Sequence, residues 1–429
     1  MASRQERKFA FSYLERGKQF ATAKQYPEAL EALREAVRRD PAMVEAWILL
    51  ASVHYALRED SECLGATEEA LKLNPTSGAA WNHRGLALAR LKRDEESLDS
   101  YARAMRIDGW FTTAALNAFG LLTRSERYEE ALRVADGLLS EQKNNGLFWA
   151  MQSTALIAMK RYTEGHEAAH QAIQCNPEIG YCWYTLALAL RANRRYSEAL
   201  DASQRYVDLE PVSSTAWNML GVALHDLGRL AEAFGAYRHA TILDTQHAWP
   251  PNNMGAILLS LRQYEPALLM CEKAVALEPT NARFLAIYAN VVLHLDRQDE
   301  AQTRLQEAEE FATTYGGYWA VYSSLYTRRG EYDQALTMIK KAIELDDDDP
   351  FAWECMGELL LALEDYEKAL SVIEHALEIR PHDFCLQELK AKSLRGTGRE
   401  SEAEEIERAV QSRLAKQLAL LNHAQDADE

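Results

Sequence analysis

An all-α solenoid of about twelve helix-turn-helix repeats, each 34 residues long, is the fold class that this 429-residue sequence predicts. Three observations carry the prediction. Cut every 34 residues from Ala10 without a gap, the chain yields units starting at 10, 44, 78, 112, 146, 180, 214, 248, 282, 316, 350 and 384. Seven of its nine tryptophans then share position 4: Trp47, Trp81, Trp149, Trp183, Trp217, Trp319 and Trp353. Position 20 is small in every unit, from Ala29 and Cys63 to Ala403, position 8 is small in all but one (Phe119), and position 32 is proline in half of them. A fixed period of this length marks stacked units, none of which can bury its own apolar face alone.

The columns account for each element of the unit in order. Positions 4, 7, 8 and 11 recur at helical spacing and line one face of a first helix; positions 20, 24 and 27 do the same for a second. A small residue at position 8 facing a small one at position 20 lets the two helices approach closely. Trp at position 4 and Tyr at position 17, the latter in seven units, supply the large apolar surface that so thin a unit needs. A turn separates the helices, with Gly228 and Gly330 as examples. Proline at position 32 cannot continue a helix, so it ends the second one before the next unit begins.

Along the chain, residues 1–9 read as a lead-in, 10–417 as the solenoid, and 418–429 as the end of a C-terminal capping helix followed by a disordered acidic tail. Units 112–145 and 282–315 lack both the Trp and the Pro and are expected to pack least well. In unit eight Pro250 and Pro251 occupy the start of the first helix, which should delay it, displace Trp249 and leave Asn252 and Asn253 beside free N–H groups. The run 346–350 (DDDDP) lacks the alternating ligands and terminal Glu of a calcium loop, and reads as a turn with an N-cap before a proline. Residues 399–422 form one long helix with Leu414, Leu418 and Leu421 on its apolar side, able to close the last unit or to serve as a self-association surface. The sequence leaves the oligomeric state open.

The pattern resembles the tetratricopeptide repeat family, whose signature is carried by residues 217–245 and whose register spans about 10–417. The resemblance implies a right-handed superhelix with the first helices lining a concave groove and the second helices facing outward. It also implies protein or peptide ligands in that groove. The carboxylate clamp of chaperone-binding members is absent: no three consecutive units present its Lys/Asn, Asn and Lys/Arg set, and Leu14 and Leu49 stand at two of the places. This argues against recognition of an acidic chaperone tail.

Composition narrows the function further. The formal charge of −18 disfavours nonspecific nucleic-acid binding, which needs clustered Lys and Arg. No run of 18 apolar residues spans a membrane, and the start lacks a secretory signal, so the cytoplasm is the expected location. The six cysteines form no CxxC pair and point to neither metal nor disulfide. No phosphate loop, HExxH or GxSxG motif occurs, so no catalytic residue, metal or cofactor is expected. In the family geometry, positions 2, 5, 9 and 12 face the groove; over units three to ten these 32 positions hold no Asp or Glu, where the chain average would give about five. The most distinctive groove residues are Tyr181, Tyr184, Arg191, Asn218, His225, Trp249, Asn252, Asn253, Arg283 and Asn290. Asn can both donate to and accept from a peptide backbone, and aromatic and Arg side chains dominate binding hot spots. The Asn residues partly resemble the asparagine ladder of O-linked N-acetylglucosamine transferases, but they alternate between positions 5 and 6. The sequence therefore reads as a noncatalytic scaffold or adaptor that holds a protein or peptide segment in its groove. A regulatory or inhibitory subunit wrapping a folded partner enzyme is the alternative.

Overall fold

A computed structural model of the chain describes residues 3–107, 111–312 and 314–426. Among them every regular element is a helix. The first helices of the twelve repeats are α1 (Arg4–Thr22), α3 (Val44–Ala56), α5 (Gly78–Arg90), α7 (Phe111–Arg124), α9 (Gly146–Ala158), α11 (Gly180–Ala192), α13 (Ser214–Asp226), α15 (Trp249–Ser260), α17 (Ala282–His294), α19 (Gly316–Arg328), α21 (Pro350–Ala362) and α23 (Phe384–Gly396). The second helices are α2 (Tyr26–Arg39), α4 (Asp60–Leu73), α6 (Asp94–Met105), α8 (Tyr128–Glu141), α10 (Tyr162–Cys175), α12 (Tyr196–Leu209), α14 (Leu230–Leu243), α16 (Tyr264–Leu277), α18 (Gln298–Ala308), α20 (Tyr332–Leu345), α22 (Tyr366–Ile379) and α24 (Glu400–Asp426). All twelve second helices begin at position 17 of the repeat and nine first helices at position 1. The period of the sequence is the period of the hairpins. The chain divides into two compact units, 1–177 and 178–429, holding repeats one to five and six to twelve.

Three repeated devices explain the columns. The first links position 4 to position 32: the indole N–H of Trp47, Trp81 and Trp217 donates to the carbonyl of Pro41, Pro75 and Pro211, at 2.9, 2.8 and 2.8 Å. Trp149 and Trp353 make the same bond to Lys143 and Asp347, and in repeat twelve Gln387 replaces the indole and donates to Pro381. Position 4 is thus not only apolar surface, since its N–H ties down the loop between repeats.

The second device is the turn. Every residue at position 15 has a positive φ, from Lys24 (58°) and Arg58 (65°) to Glu364 (60°), and only Gly228, Gly330 and Gly398 are glycine. Nine repeats therefore hold a side chain in the left-handed region, which costs an L-residue about 1–2 kcal/mol. The third device is the close approach expected between positions 8 and 20, to which a further column contributes. A Cβ at Gly85 or Gly221 would lie 2.5 Å from the ring of Tyr101 or Tyr237, at position 24. Position 24, not 20, supplies the side chain that fills the gap left at position 8. Position 20 meets position 8 through its backbone or a hydroxyl, as where Ser97 Oγ donates to the Gly85 carbonyl at 2.7 Å.

Two local expectations resolve simply. Asp349 caps α21, its side chain accepting from the Phe351 N–H at 3.0 Å, with Pro350 at the first helical position. Around Pro250 and Pro251 the helix starts one residue late, at Trp249, but the Asn252 N–H bonds the Ala248 carbonyl at 3.4 Å and is not free. At the other end α24 runs to Asp426, into the stretch expected to be a disordered tail; residues 427–429 lie outside those described. Leu421 is buried and Leu414 and Leu418 are half-buried, with α24 packed against α14 of the same unit.

Candidate functional site

The first helices of repeats six to nine place the expected binding residues along the C-terminal unit. Their local order comes from contacts between consecutive repeats. Asn253 Nδ2 donates to Asn218 Oδ1 at 3.1 Å, and in the N-terminal unit Asn117 Nδ2 donates to Asn82 Oδ1 at 2.8 Å. What looks like scatter between positions 5 and 6 is a pairing rule: an Asn at position 6 reaches back to the Asn at position 5 of the preceding repeat. Asn252 has no such successor, because Ile287 stands at the next position 6. It is 2% exposed, and its Oδ1 has no hydrogen-bond partner.

Aromatic rings order the remaining residues. Tyr181 and Tyr184 stack at 5.6 Å, and Tyr184 meets Tyr206 edge-on at 5.9 Å; burial pushes the Tyr184 hydroxyl up to about 12. Arg283 is exposed, with its guanidinium 5.9 Å from the Trp249 ring and 5.2 Å from that of Tyr315. Trp249 itself packs edge-on against Phe284. Asn290 is half-buried on α17.

Arg191 and His225 belong to a different arrangement. Arg191 forms an ion pair with Asp226 across the junction of repeats six and seven. His225 is held down to about 4 by burial first and then by Arg380, with Asp226, Asp383 and Arg191 also in range. Arg380 in turn answers to Asp383, Asp349, Asp226 and Glu354. Burial, together with Asp383 and Glu358, drives the Glu354 carboxyl well above the ordinary carboxylate range. Glu358 accepts from Ser324 Oγ at 2.7 Å. These groups are not sealed from water: the Arg380 side chain is 49% exposed and that of Arg191 32%.

In repeats six and seven, acid-free groove columns thus meet acid from elsewhere in the same unit. Glu354 and Glu358 hold positions 5 and 9 of repeat eleven, just beyond the window in which acid is missing, and Asp226 holds position 13. Extending the same count by one repeat finds the first two. Arg380 and Asp383 belong to the loop between α22 and α23, which no pattern over first helices reaches. Among the described residues no grouping of His, Cys, Asp and Glu could hold a metal, and no helix is long and apolar enough to cross a membrane. The described geometry offers ordered amides, aromatic faces and the exposed guanidinium of Arg283, which suits contact with another chain.

Sequence models described as Tetratricopeptide repeat match residues 20–91, 150–214, 184–248, 316–359 and 352–383, together more than half of the chain. No curated protein matches the sequence. Among solved structures, the chain is similar to one described as the APC/C hetero-tetramer Cut9-Hcn1, with a TM-score of 0.52, 14% identity and coverage of 89% of this chain and 96% of that one. It also matches yeast Tom70, with a TM-score of 0.38, 15% identity and coverage of 98% and 96%. At these identities the likeness concerns the fold. Period, hairpin geometry and sequence models agree: the chain belongs to the tetratricopeptide repeat family, whose repeats build protein-interaction scaffolds.

Proposed function

We propose that the protein is a noncatalytic adaptor of the cytoplasm that holds a segment of a partner protein along the first helices of repeats six to nine. One observation carries this reading. Residues that take no part in the packing columns are nonetheless pre-ordered there: Asn218 by Asn253, Tyr184 by Tyr181, Arg283 between Trp249 and Tyr315. Side chains already held in place lose less entropy when a ligand arrives. Arg283 is exposed and Asn218 half-buried, whereas Asn252 is buried and Arg191 is engaged by Asp226.

Affinity capture with the full chain, followed by titration of the captured partner, tests the reading. Changing Asn218 and Arg283 to Ala should leave helix content unchanged and weaken binding by about 0.5–1.5 kcal/mol for each hydrogen bond lost. Glu232→Ala on the second helix of repeat seven should have no effect. If the Glu232 variant loses binding and the double variant keeps it, the partner embraces the outer face and the adaptor reading falls.

A further inference from the structure

The C-terminal unit touches itself far along the chain. The turn between α11 and α12 meets the loop before α21, where Arg194 and Asp348 lie 3.6 Å apart. The turn between α13 and α14 meets the loop before α23: a Cβ on Gly228 would lie 2.7 Å from the His382 Cβ. Both pairs are separated by the same four and a half repeats, so one edge of repeats six and seven runs in register along the opposite edge of repeats ten to twelve. Beside them the Tyr196 hydroxyl donates to the Ile379 carbonyl at 2.8 Å, and Arg262 pairs with Glu388. At the end of this line, where a further loop would follow, the C-terminal half of α24 takes its place. Gln417 accepts from the Ala231 N–H at 3.0 Å and donates to the Gly228 carbonyl at 3.3 Å. Arg413 donates to the His382 carbonyl at 3.1 Å and to Gln387 at 3.0 Å.

We propose that this seam is a clasp: it gates macromolecular access to the inner faces of repeats six to twelve, with α24 as its latch. Its contacts are of the kind that part. The Arg194–Asp348 pair has side chains 44% and 49% exposed, and a pair so open to water holds weakly. Behind the seam Arg380 is flanked by Asp383 and Asp349 on its own side and attracted by Asp226 across it, but its side chain is 49% exposed, so water weakens this attraction too. A partner that gains contacts only in the parted state would shift the population toward it.

Gly228 supplies a clean test. Lys24, Lys92 and Lys160 occupy the equivalent turn position at φ 58–61°, so the hairpin accepts lysine, whereas the approach of His382 leaves no room for one. Gly228→Lys should therefore keep the repeat and part the seam. The readout is Cys385, half-buried on α23 and facing Glu354, Asp383 and Glu388. In the full chain, its labelling by a bulky polyethylene-glycol maleimide, relative to N-ethylmaleimide, should rise about tenfold in Gly228→Lys and rise also in Gln417→Ala. Cys175, in the other unit, should label at an unchanged rate, and the buried Cys271 should stay protected. An unchanged ratio for Cys385 in Gly228→Lys overturns the proposal. So does loss of helix content, or labelling of Cys271 in both variants, because the seam would then be an integral part of the fold rather than a contact that opens. The test reads access and not partner binding, so its failure leaves the adaptor reading standing.

Discussion

The two units are made of the same hairpin and differ in how far their contacts reach. Within the N-terminal unit the longest side-chain hydrogen bonds, Arg90 to the Tyr55 carbonyl and Asn117 to Asn82, join neighbouring repeats 35 residues apart. Within the C-terminal unit the longest, Gln417 to Gly228, Gln417 to Ala231 and Tyr196 to Ile379, span 189, 186 and 183 residues. A stack coupled only to nearest neighbours loses repeats one at a time, whereas a stack whose edges meet transmits a local loss around the closure. Similar building blocks should thus give graded unfolding in one unit and, for as long as the seam is closed, more concerted unfolding in the other.

The largest expected effect comes from removing matched tryptophans. Trp149→Ala and Trp217→Ala each take away a half-buried ring and the indole bond to the preceding loop, and each should cost about 3 kcal/mol. Hydrogen exchange should show the Trp149 loss confined to adjacent repeats and the Trp217 loss spread from repeat six to α24. Equal confinement in both would erase the distinction between the units. Next comes overpacking at position 20. Ala233→Leu and Ala131→Leu, both fully buried, should each cost about 1–3 kcal/mol, with only Ala233→Leu also loosening the α24 contact on α14. A melting curve indifferent to Ala233→Leu would refute the close helix approach at that column.

How much of this was legible in the sequence follows from what repeats and what does not. The hairpin period and the close approach at position 8 are local and recur, so a column of twelve residues records each, and the cap at Asp349 is local to the run 346–350. The indole bond was half visible, since Trp and Pro columns advertise each other without saying that one donates to the other. The left-handed turn was hidden by composition: Lys, Arg, Glu and Asp at position 15 look like solvent-facing charge rather than a strained backbone. The seam was not legible at all. It joins single residues such as His382 and Gln417 to Gly228, and the step of four and a half repeats that relates His382 to Gly228 cuts across the 34-residue columns instead of lying within one. For the candidate site, the residue types along repeats six to nine were readable, but the pairing of Arg191 with Asp226 and the burial of His225 near Arg380 were not.

A smaller effect separates the units by pH. His225 and His294 are both held at about 4 in the folded chain, by burial first and then by Arg380 or Arg328 respectively. At these two rings the folded state binds fewer protons than the unfolded state between pH 6.5 and about 4, so their contribution to stability is lost as pH falls through that window, while the raised Glu354 carboxyl acts in the opposite direction. Each histidine contributes at most about 1.4 kcal/mol per pH unit there, less where water reaches the ring. In denaturant melts at pH 7 and 5, His225→Gln with His294→Gln should lose less stability on acidification than the parent chain; an identical change in both would sink the assignment. The smallest effect is at the turns. Lys92→Gly in the N-terminal unit relieves the left-handed strain and should add a few tenths to about 1 kcal/mol, measured as a raised melting temperature.

The indole bonds turn the tryptophans into reporters of place. Each of Trp47, Trp81, Trp149, Trp217 and Trp353 donates its one ring proton to a backbone carbonyl six residues upstream, so each marks a different boundary between hairpins. In an NMR spectrum labelled only at tryptophan nitrogen, these five downfield signals form a small, addressable set spread along the chain. A bound macromolecule, a change of solvent or a rise in temperature would then be recorded boundary by boundary, without assignment of the remaining backbone.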